Sequence, residues 1–283
     1  MKARGSTHEG ARPLSVTEVP ELRIDLAPAA EAIDRAGRRV TELLTHVEDP
    51  HRPVRGLEWT LGDLAAHLSA RTERFAAYLS GVATPQGEVA GIAAENQQDL
   101  RARRERPFGD HVDQVRSNVA SFVATTRGKL GADPFPWYSA ITLDVATASG
   151  LLLGELTVHG YDAARTLGHP WPIAATDART IIRAAAALAP WYVDEDATRG
   201  GRTTFRIAAR GGPVFRVRID DGTATVEPAD GDADCTIHAD PAALVLLSYR
   251  RITRWQAAGR GKLVATGRRP WRALRFERSF RSP

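Results

Sequence analysis

The sequence predicts two domains: an antiparallel four-helix bundle over residues 25–169, and a smaller α+β domain with an antiparallel sheet and helices over residues 176–283. Apolar residues recur at helical spacing through roughly the first 170 residues. Further along they alternate with polar residues, which is the period of half-buried strands. A length of 283 residues is comfortable for two domains.

The composition is that of an ordinary soluble protein, with 43% hydrophobic and 25% charged residues. The apolar runs are too short to span a bilayer and the sequence starts with polar residues, so we expect a cytoplasmic protein without a membrane partner. Cys235 is the only cysteine, which excludes an intramolecular disulfide and a thiolate-rich metal cluster. Residues 1–24 are rich in Pro, Gly, Ser and Thr, and we expect them to form a flexible extension.

Four helical segments are predicted in the first half of the chain. The first follows Asp25, a suitable N-cap, and the second begins at Thr60, which forms a capping-box pattern with Asp63. The third covers about residues 89–104, and the fourth starts at Asp110. The apolar positions that define the first and fourth helices are Ile33, Val40, Leu43 and Leu44, and Val112, Val115, Val119, Phe122 and Val123.

A last helix of this domain is predicted to open at Thr142 and to end at Gly168, before Pro170. Its interior contains three glycines, each of which costs about 1 kcal/mol relative to alanine in a helix. These glycines are Gly150, Gly154 and Gly160. We expect a close approach at these positions, either by a bound ligand or by a neighbouring helix.

The second domain follows a linker at residues 170–176 and opens with a helix at about residues 177–189. Asp221-Gly222 predicts a tight turn between two strands. Later strands are predicted at residues 235–239 and 262–266, with a helix between them and a final helix over about residues 270–280. The inward-facing strand residues are Phe205, Ile207, Phe215, Val217 and Ile219.

Basic residues are concentrated in the C-terminal part of the chain. Residues 1–175 hold 19 basic and 22 acidic side chains, whereas residues 176–283 hold 19 basic and 12 acidic side chains. Such a region can attract nucleic acid, lipid headgroups or small anions, but a solvated arginine-rich surface explains it more simply. We expect no nucleic-acid partner, because no helix-turn-helix or basic aromatic platform is recognisable.

Three residues are candidate metal ligands. Glu155 and His159 are four residues apart in the last predicted helix, so their side chains share one face. His67, among apolar residues of the second helix, is the best candidate for a third donor. Three nitrogen and oxygen ligands leave an open position on the ion, as in catalytic sites, and they favour Zn²⁺.

The spacing alone leaves another arrangement open, in which Glu155 and His159 form a pair on a solvent-facing helix surface. A charged Glu155 buried without a partner would be strongly destabilising, so burial would require a cation or a strong donor. Asp162, one turn after His159, could hydrogen-bond the imidazole or could pair with Arg165 at the surface.

Two segments resemble the metal-binding motifs of the mycothiol-dependent maleylpyruvate isomerase family. Residues 58–68 read Glu-Trp-Thr-Leu-Gly-Asp-Leu-Ala-Ala-His-Leu, and residues 155–162 read Glu-Leu-Thr-Val-His-Gly-Tyr-Asp. The N-terminal domain of this family is DinB-like, and residues from about 176 onward resemble the sterol-carrier-like domain often fused to it. The resemblance implies an N-terminal DinB-like bundle and a C-terminal sterol-carrier-like α+β domain.

The resemblance also implies the site residues and cofactors. The family binds a divalent metal, usually zinc, on residues that match His67, Glu155 and His159, and it uses mycothiol, the low-molecular-weight thiol of actinobacteria. An arginine of the C-terminal domain is important in the family, and Arg251 is its best match here, so it is the candidate catalytic residue. This sequence departs from the family at Arg250, where glycine is common, and at Arg268, where aspartate is frequent.

These features lead to one leading hypothesis and two alternatives. A metal-activated mycothiol thiolate attacks a small electrophile, in S-transfer or thiol exchange. The first alternative is a cis–trans isomerase of the maleylpyruvate type, and the second is a non-catalytic carrier of a small molecule or lipid. Arginines near the domain interface would hold an anionic substrate.

Overall fold

Helices build the first part of the molecule, and a sheet with further helices builds the second part. The computed structural model describes residues 19–138 and 141–281. Within these ranges, no helix combines the length and the apolar character that a membrane crossing requires. The helices of the first part are α1 (Leu26–Thr45), α2 (Leu61–Ser80), α3 (Ile92–Arg103), α4 (Phe108–Thr126) and α5 (Val145–Leu167). The four long ones, α1, α2, α4 and α5, pack on one another around a common core.

The segment before α1 is packed where the structure describes it. Of the predicted flexible extension at residues 1–24, residues 1–18 lie outside the described residues. Pro20–Leu22 forms a 3-10 helix in which Leu22 is buried. The carbonyl of Glu21 accepts a hydrogen bond from Arg183 at 3.0 Å. Residues 19–24 therefore belong to the folded molecule, because burial of Leu22 and this long-range contact fix them.

The start of α2 agrees with the sequence pattern. The Thr60 hydroxyl accepts a hydrogen bond from the backbone N–H of Asp63 at 3.1 Å, and the Asp63 carboxylate accepts one from the Thr60 N–H at 2.9 Å. This capping box satisfies two N–H groups that the helix cannot pair internally. It fixes where α2 begins, and hence which face of the helix carries His67.

The start of α5 differs from the prediction. Thr142 does not open the helix but lies in a short strand, β2 (Thr142–Asp144), which pairs with β1 (Pro134–Pro136). The helix begins three residues later because the Asp144 carboxylate caps it, accepting a hydrogen bond from the N–H of Thr147 at 2.6 Å. The predicted end is confirmed, since Gly168 adopts the left-handed conformation of a C-cap.

The glycines of α5 allow neighbouring groups to approach the helix closely. A Cβ at Gly150 would lie 2.6 Å from the Cβ of Ala184, and a Cβ at Gly160 would lie 2.1 Å from the ring of Trp171. A Cβ at Gly154 would lie 2.9 Å from the hydroxyl of Tyr249. Close packing by side chains from the linker and from the second part of the chain thus accounts for these glycines.

The second part contains a five-stranded sheet in the order β5-β4-β3-β6-β7. Its strands are β3 (Arg202–Ala209), β4 (Val214–Asp220), β5 (Thr223–Pro228), β6 (Cys235–Ala239) and β7 (Leu263–Thr266). Its helices are α6 (Ala175–Ala187), α7 (Ala189–Tyr192), α8 (Glu195–Thr198), α9 (Pro241–Ser248), α10 (Arg254–Gly259) and α11 (Ala273–Phe276). The strand residues predicted to face inward are buried, and Cys235 is buried with them.

Two details of this part differ from the predictions. The sheet is mixed, because β3 and β6 are parallel, with Phe205 opposite Cys235. After β5 the chain crosses the sheet to the end where β3 begins, which sets the direction of β6. The predicted continuous helix at residues 270–280 is a succession of short 3-10 and α turns. Arginine recurs there at every third position from Arg269 to Arg281.

Candidate metal centre

Three side chains from two helices converge at the centre of the helical part. His67 of α2 and Glu155 and His159 of α5 each offer a ligand-type atom, and these atoms lie within 4.8 Å of one another. Nε2 of His67 is 3.4 Å from Oε2 of Glu155, and Nε2 of His159 is 3.5 Å from the same oxygen. Glu155 and His159 are therefore not a solvent-facing pair, and their side chains are only 18% and 10% exposed.

The spacing of these atoms fits a bound metal ion. Zinc–ligand bonds of about 2.0–2.2 Å at tetrahedral angles place neighbouring ligand atoms roughly 3.4 Å apart. The two distances to Glu155 have this size. Two imidazole nitrogens and one carboxylate oxygen also form the donor set of open catalytic zinc sites. The three residues could hold a divalent ion and leave one position for another ligand.

A buried arginine keeps Glu155 ionised. Nη2 of Arg71 lies 3.5 Å from Oε1 of Glu155, and the Arg71 side chain is only 7% exposed. Burial alone would raise the pKa of Glu155, but Arg71 and the two histidines outweigh it and hold that pKa well below its usual range. Burial likewise opposes the charge on Arg71, but the Glu155 carboxylate outweighs it and raises the pKa of the guanidinium. A carboxylate must be ionised to bind a metal, so this pair keeps Glu155 in the required form.

His67 is held as a neutral imidazole. Burial lowers the pKa of His67 to about 4, although its hydrogen bond with Glu155 acts in the opposite direction. The neutral ring is the form that binds metals. The ring of Trp59 lies 4.7 Å from that of His67 and 5.8 Å from that of His159, centre to centre. Trp59 therefore covers both imidazoles on one side.

His159 is supported from behind by a buried carboxylate. Oδ2 of Asp162 lies 3.3 Å from Nδ1 of His159, an ion-pair distance without the alignment of a hydrogen bond. Asp162 is 2% exposed and accepts three hydrogen bonds from the guanidinium of Arg251, at 2.7, 2.9 and 3.0 Å. Burial alone would lower the pKa of His159, but Asp162 and Glu155 outweigh it and raise that pKa. Of the two partners considered for Asp162, the structure thus favours the imidazole over Arg165.

Arg251 is connected to the cluster through Asp162. Besides its three hydrogen bonds to Asp162, its Nη1 donates to the carbonyl of Tyr249 at 2.7 Å. Arg251 does not line the cavity beside Glu155. In this geometry the guanidinium is bound to Asp162, and the catalytic role of Arg251 stays a prediction.

Two residues of this site were not predicted from the sequence. Arg71 follows His67 by four positions on α2, so helical spacing places both on one face and could have identified it. Trp59 directly precedes the N-cap of α2, and its position over the imidazoles follows from the path of the loop before the helix. Local spacing does not encode that path.

A cavity of about 450 Å³ adjoins the cluster, between the helical part and the sheet. Glu155 and Arg71 lie in its wall, and most of the other lining residues are apolar. Tyr192 and Tyr249 also line it, and burial raises the pKa of both hydroxyls, which are therefore neutral at physiological pH. Glu155 thus belongs both to the candidate metal ligands and to the wall of this cavity.

Comparisons with known proteins find relatives for the helical part and for the whole fold. Residues 30–164 match the family model of the mycothiol maleylpyruvate isomerase N-terminal domain. The crystal structure of the mycothiol-dependent maleylpyruvate isomerase superposes with a TM-score of 0.52 at 13% identity, covering 89% of this chain and 95% of that one. A histidine-to-alanine mutant of that isomerase gives the same values. At this identity the likeness establishes the fold alone. No curated protein matches the chain by sequence.

Proposed function

We propose that the protein is a mycothiol-dependent metalloenzyme, because residues 30–164 match the family model of the mycothiol maleylpyruvate isomerase N-terminal domain. Its reaction is the attack of the mycothiol thiolate on a small electrophile. The observation that carries the proposal is the convergence of His67, Glu155 and His159 inside the matched region. The likeness in fold covers 89% of the chain. It supports the further proposal that the first part is a DinB-like four-helix bundle and that the second part is a sterol-carrier-like domain.

His67, Glu155 and His159 would hold a divalent ion, and their donor set favours zinc. When bound, such an ion supplies Lewis acidity that lowers the pKa of a thiol at its open position to below neutrality.

The residues around the cluster prepare it for this role. Arg71 keeps Glu155 ionised, and the pair formed by Asp162 and Arg251 holds the ring of His159. Tyr192 and Tyr249 line the cavity beside Glu155, and their neutral hydroxyls could donate hydrogen bonds to a substrate.

Two reaction types are compatible with this site. In S-transfer, a sulfur–carbon bond forms, the leaving group departs with its electron pair, and the thiol proton goes to solvent. In isomerisation, the thiolate adds to a conjugated double bond, the resulting single bond rotates, and the thiolate leaves again. We place S-transfer first because Arg250 and Arg268 replace residues common in the isomerase family.

Liquid chromatography with mass spectrometry distinguishes the two reactions, because a conjugate differs in mass whereas the cis and trans isomers differ only in retention. The protein, reconstituted with zinc, is incubated with mycothiol and either a panel of alkylating electrophiles or maleylpyruvate. A covalent mycothiol conjugate that forms only with enzyme supports S-transfer. An isomerised product with unchanged mycothiol supports the isomerase, and neither product with any substrate contradicts the proposal.

A non-catalytic carrier is the second candidate function, and the apolar cavity favours it. A carrier would purify with a bound apolar molecule and without stoichiometric metal. Extraction of the purified protein for lipid analysis, together with elemental analysis of the same sample, separates the two functions. We further propose a cytoplasmic location and a role without nucleic acid.

A further inference from the structure

The cavity beside Glu155 has the size and lining of a small-molecule site. Its volume of about 450 Å³ falls within the range of about 300–1,000 Å³ that is typical of such sites. Its walls come from both parts of the chain: Trp137 and Leu151 from the helical part, and Ile182, Phe215, Ile237 and Leu244 from the second part. A cavity lined in this way excludes hydrated groups and accepts an apolar body.

Two of the arginines in the cavity wall, Arg71 and Arg254, already have carboxylate partners. Arg71 pairs with Glu155 at 3.5 Å, and Arg254 pairs with Glu277 at 3.5 Å. Arg251, the predicted catalytic residue, is bound to Asp162. At the buried end of the cavity, a negatively charged substrate group would have to break the pair of Arg71 and Glu155 and would lose its own hydration as well.

Large apolar side chains surround the exposed end of the cavity. Trp255, Trp271 and Leu274 all line it and are 67%, 63% and 45% exposed. Arg71, at the other end, is only 6% exposed. The exposed lining residues also include Arg250 and Arg281, so the cavity runs from an entrance with apolar and basic side chains to the buried pair formed by Arg71 and Glu155.

From this geometry we propose that the electrophile is an uncharged molecule with an alkyl or aryl body. The body occupies the apolar cavity, and the reactive carbon lies at the end formed by Arg71 and Glu155. The inference rests on the proposed function for the reaction, but the binding it predicts requires neither metal nor mycothiol.

Binding is tested on the full chain with the uncharged fluorescent probe N-phenyl-1-naphthylamine, in metal-free and zinc-loaded protein. Unbranched alkyl amides of increasing length are then used to displace the probe. We expect each added methylene to tighten binding about fourfold until the cavity is filled. Carboxylates of the same length should bind more weakly. Affinity that does not change with chain length would overturn the proposal.

A cavity-filling variant locates the probe. Ala185 of α6 lines the cavity, whereas Ala175 at the start of the same helix is exposed. Ala185→Phe should weaken probe binding about tenfold or more, because the new ring occupies the site, and Ala175→Phe should leave it unchanged. Trp255→Ser at the exposed entrance provides a second variant with little risk to folding, and it should also weaken binding. Unchanged binding in both Ala185→Phe and Trp255→Ser would overturn the proposal.

A reaction series separates this inference from the proposed function. Iodoacetamide, N-butyl iodoacetamide and iodoacetate are compared as substrates with mycothiol; the sulfur–carbon bond forms, iodide leaves with the electron pair, and the proton passes to buffer. We expect kcat/KM to follow the order butyl amide, amide, acid. Enzyme-dependent conjugates without a preference for the butyl amide would overturn the inference and leave the proposed function intact. Chain-length-dependent binding without any conjugate, and without isomerisation of maleylpyruvate, would contradict the proposed function and support the carrier.

Discussion

At the scale of single residues, His159 connects two sets of contacts. One ring nitrogen faces Glu155 and the other faces Asp162. Its replacement would remove one of three candidate ligands and leave the others too few to hold an ion tightly.

We predict that His159→Ala purifies with almost no zinc, whereas the parent protein binds about one ion per chain. His169→Ala is the matched control, because His169 is exposed just after α5 and lies outside the cluster. Elemental analysis after dialysis measures the metal content. Zinc retained by His159→Ala at the level of the control would contradict the assignment of this ligand.

Arg71 should matter most when the metal is absent. Arg71→Met leaves the buried Glu155 carboxylate without its cation, and we expect the free energy of unfolding to fall by about 3 kcal/mol in metal-free protein. Added zinc should reduce this loss, because the ion replaces the missing positive charge. Urea denaturation with and without zinc measures both values.

Arg38→Met is the control for this experiment, since Arg38 is exposed on α1 and its replacement should change stability by less than about 0.5 kcal/mol. If Arg71→Met were equally unstable with and without zinc, Arg71 would act through packing rather than through its charge.

The sequence predicts the residues of the cluster well, but not all their neighbours. Helical spacing relates Glu155 to His159, and the same spacing relates His67 to Arg71. The pairing of Asp162 with Arg251 spans 89 positions, so it depends on how the two parts of the chain pack. Local periodicity contains no information about such a contact.

At the scale of elements, α5 is the helix on which the rest of the molecule is arranged. Most of its residues are buried, and its glycines admit α6, Tyr249 and Trp171 to close contact. The N–H of the Trp171 ring also donates to the carbonyl of Thr157 at 3.0 Å, which fixes the ring against the helix beside the cluster.

We predict that Gly160→Ala destabilises the protein by about 1–3 kcal/mol, because the new methyl group would overlap the Trp171 ring. Gly109→Ala in α4 is the matched control: nothing lies within 4 Å of its Cβ position, and alanine favours helix. Thermal unfolding compares the two variants. The double variant Gly160→Ala, Trp171→Leu should recover part of the loss, and no difference between the single variants would contradict the packing role of Gly160.

Element boundaries and strand directions show where local patterns stop being sufficient. Thr60 and Asp63 predict the start of α2, because a capping box is defined by neighbouring residues. Thr142 and Asp144 are both acceptable caps, and the choice between them depends on the pairing of β2 with β1. The parallel direction of β6 depends on a chain crossing, which strand periodicity does not record.

At the scale of the whole molecule, Arg251 joins the two parts of the chain. It lies after α9, in the second part, and its guanidinium is bound to Asp162 of α5. The second part therefore contributes to the support of His159 without supplying a candidate ligand.

We predict that Arg251→Met lowers zinc affinity about tenfold or more, the effect expected when support behind a metal ligand is lost. Competition with a chromogenic chelator measures this independently of turnover. Arg251→Lys should restore part of the affinity, and Arg260→Met, at an exposed position of the same part, should leave it unchanged. An unchanged zinc affinity in Arg251→Met would contradict this prediction, because Asp162 would then hold His159 without Arg251.

The shared position of Glu155 has a thermodynamic consequence. One oxygen of this carboxylate faces the two imidazoles, and the residue also forms part of the cavity wall. Binding of a molecule in the cavity and binding of the ion are then coupled. Linkage requires that the ion change the affinity for that molecule by the same factor by which the molecule changes the affinity for the ion. A guest molecule that shifts Glu155 towards the histidines would strengthen metal retention, and the loaded ion would hold that guest more strongly in return.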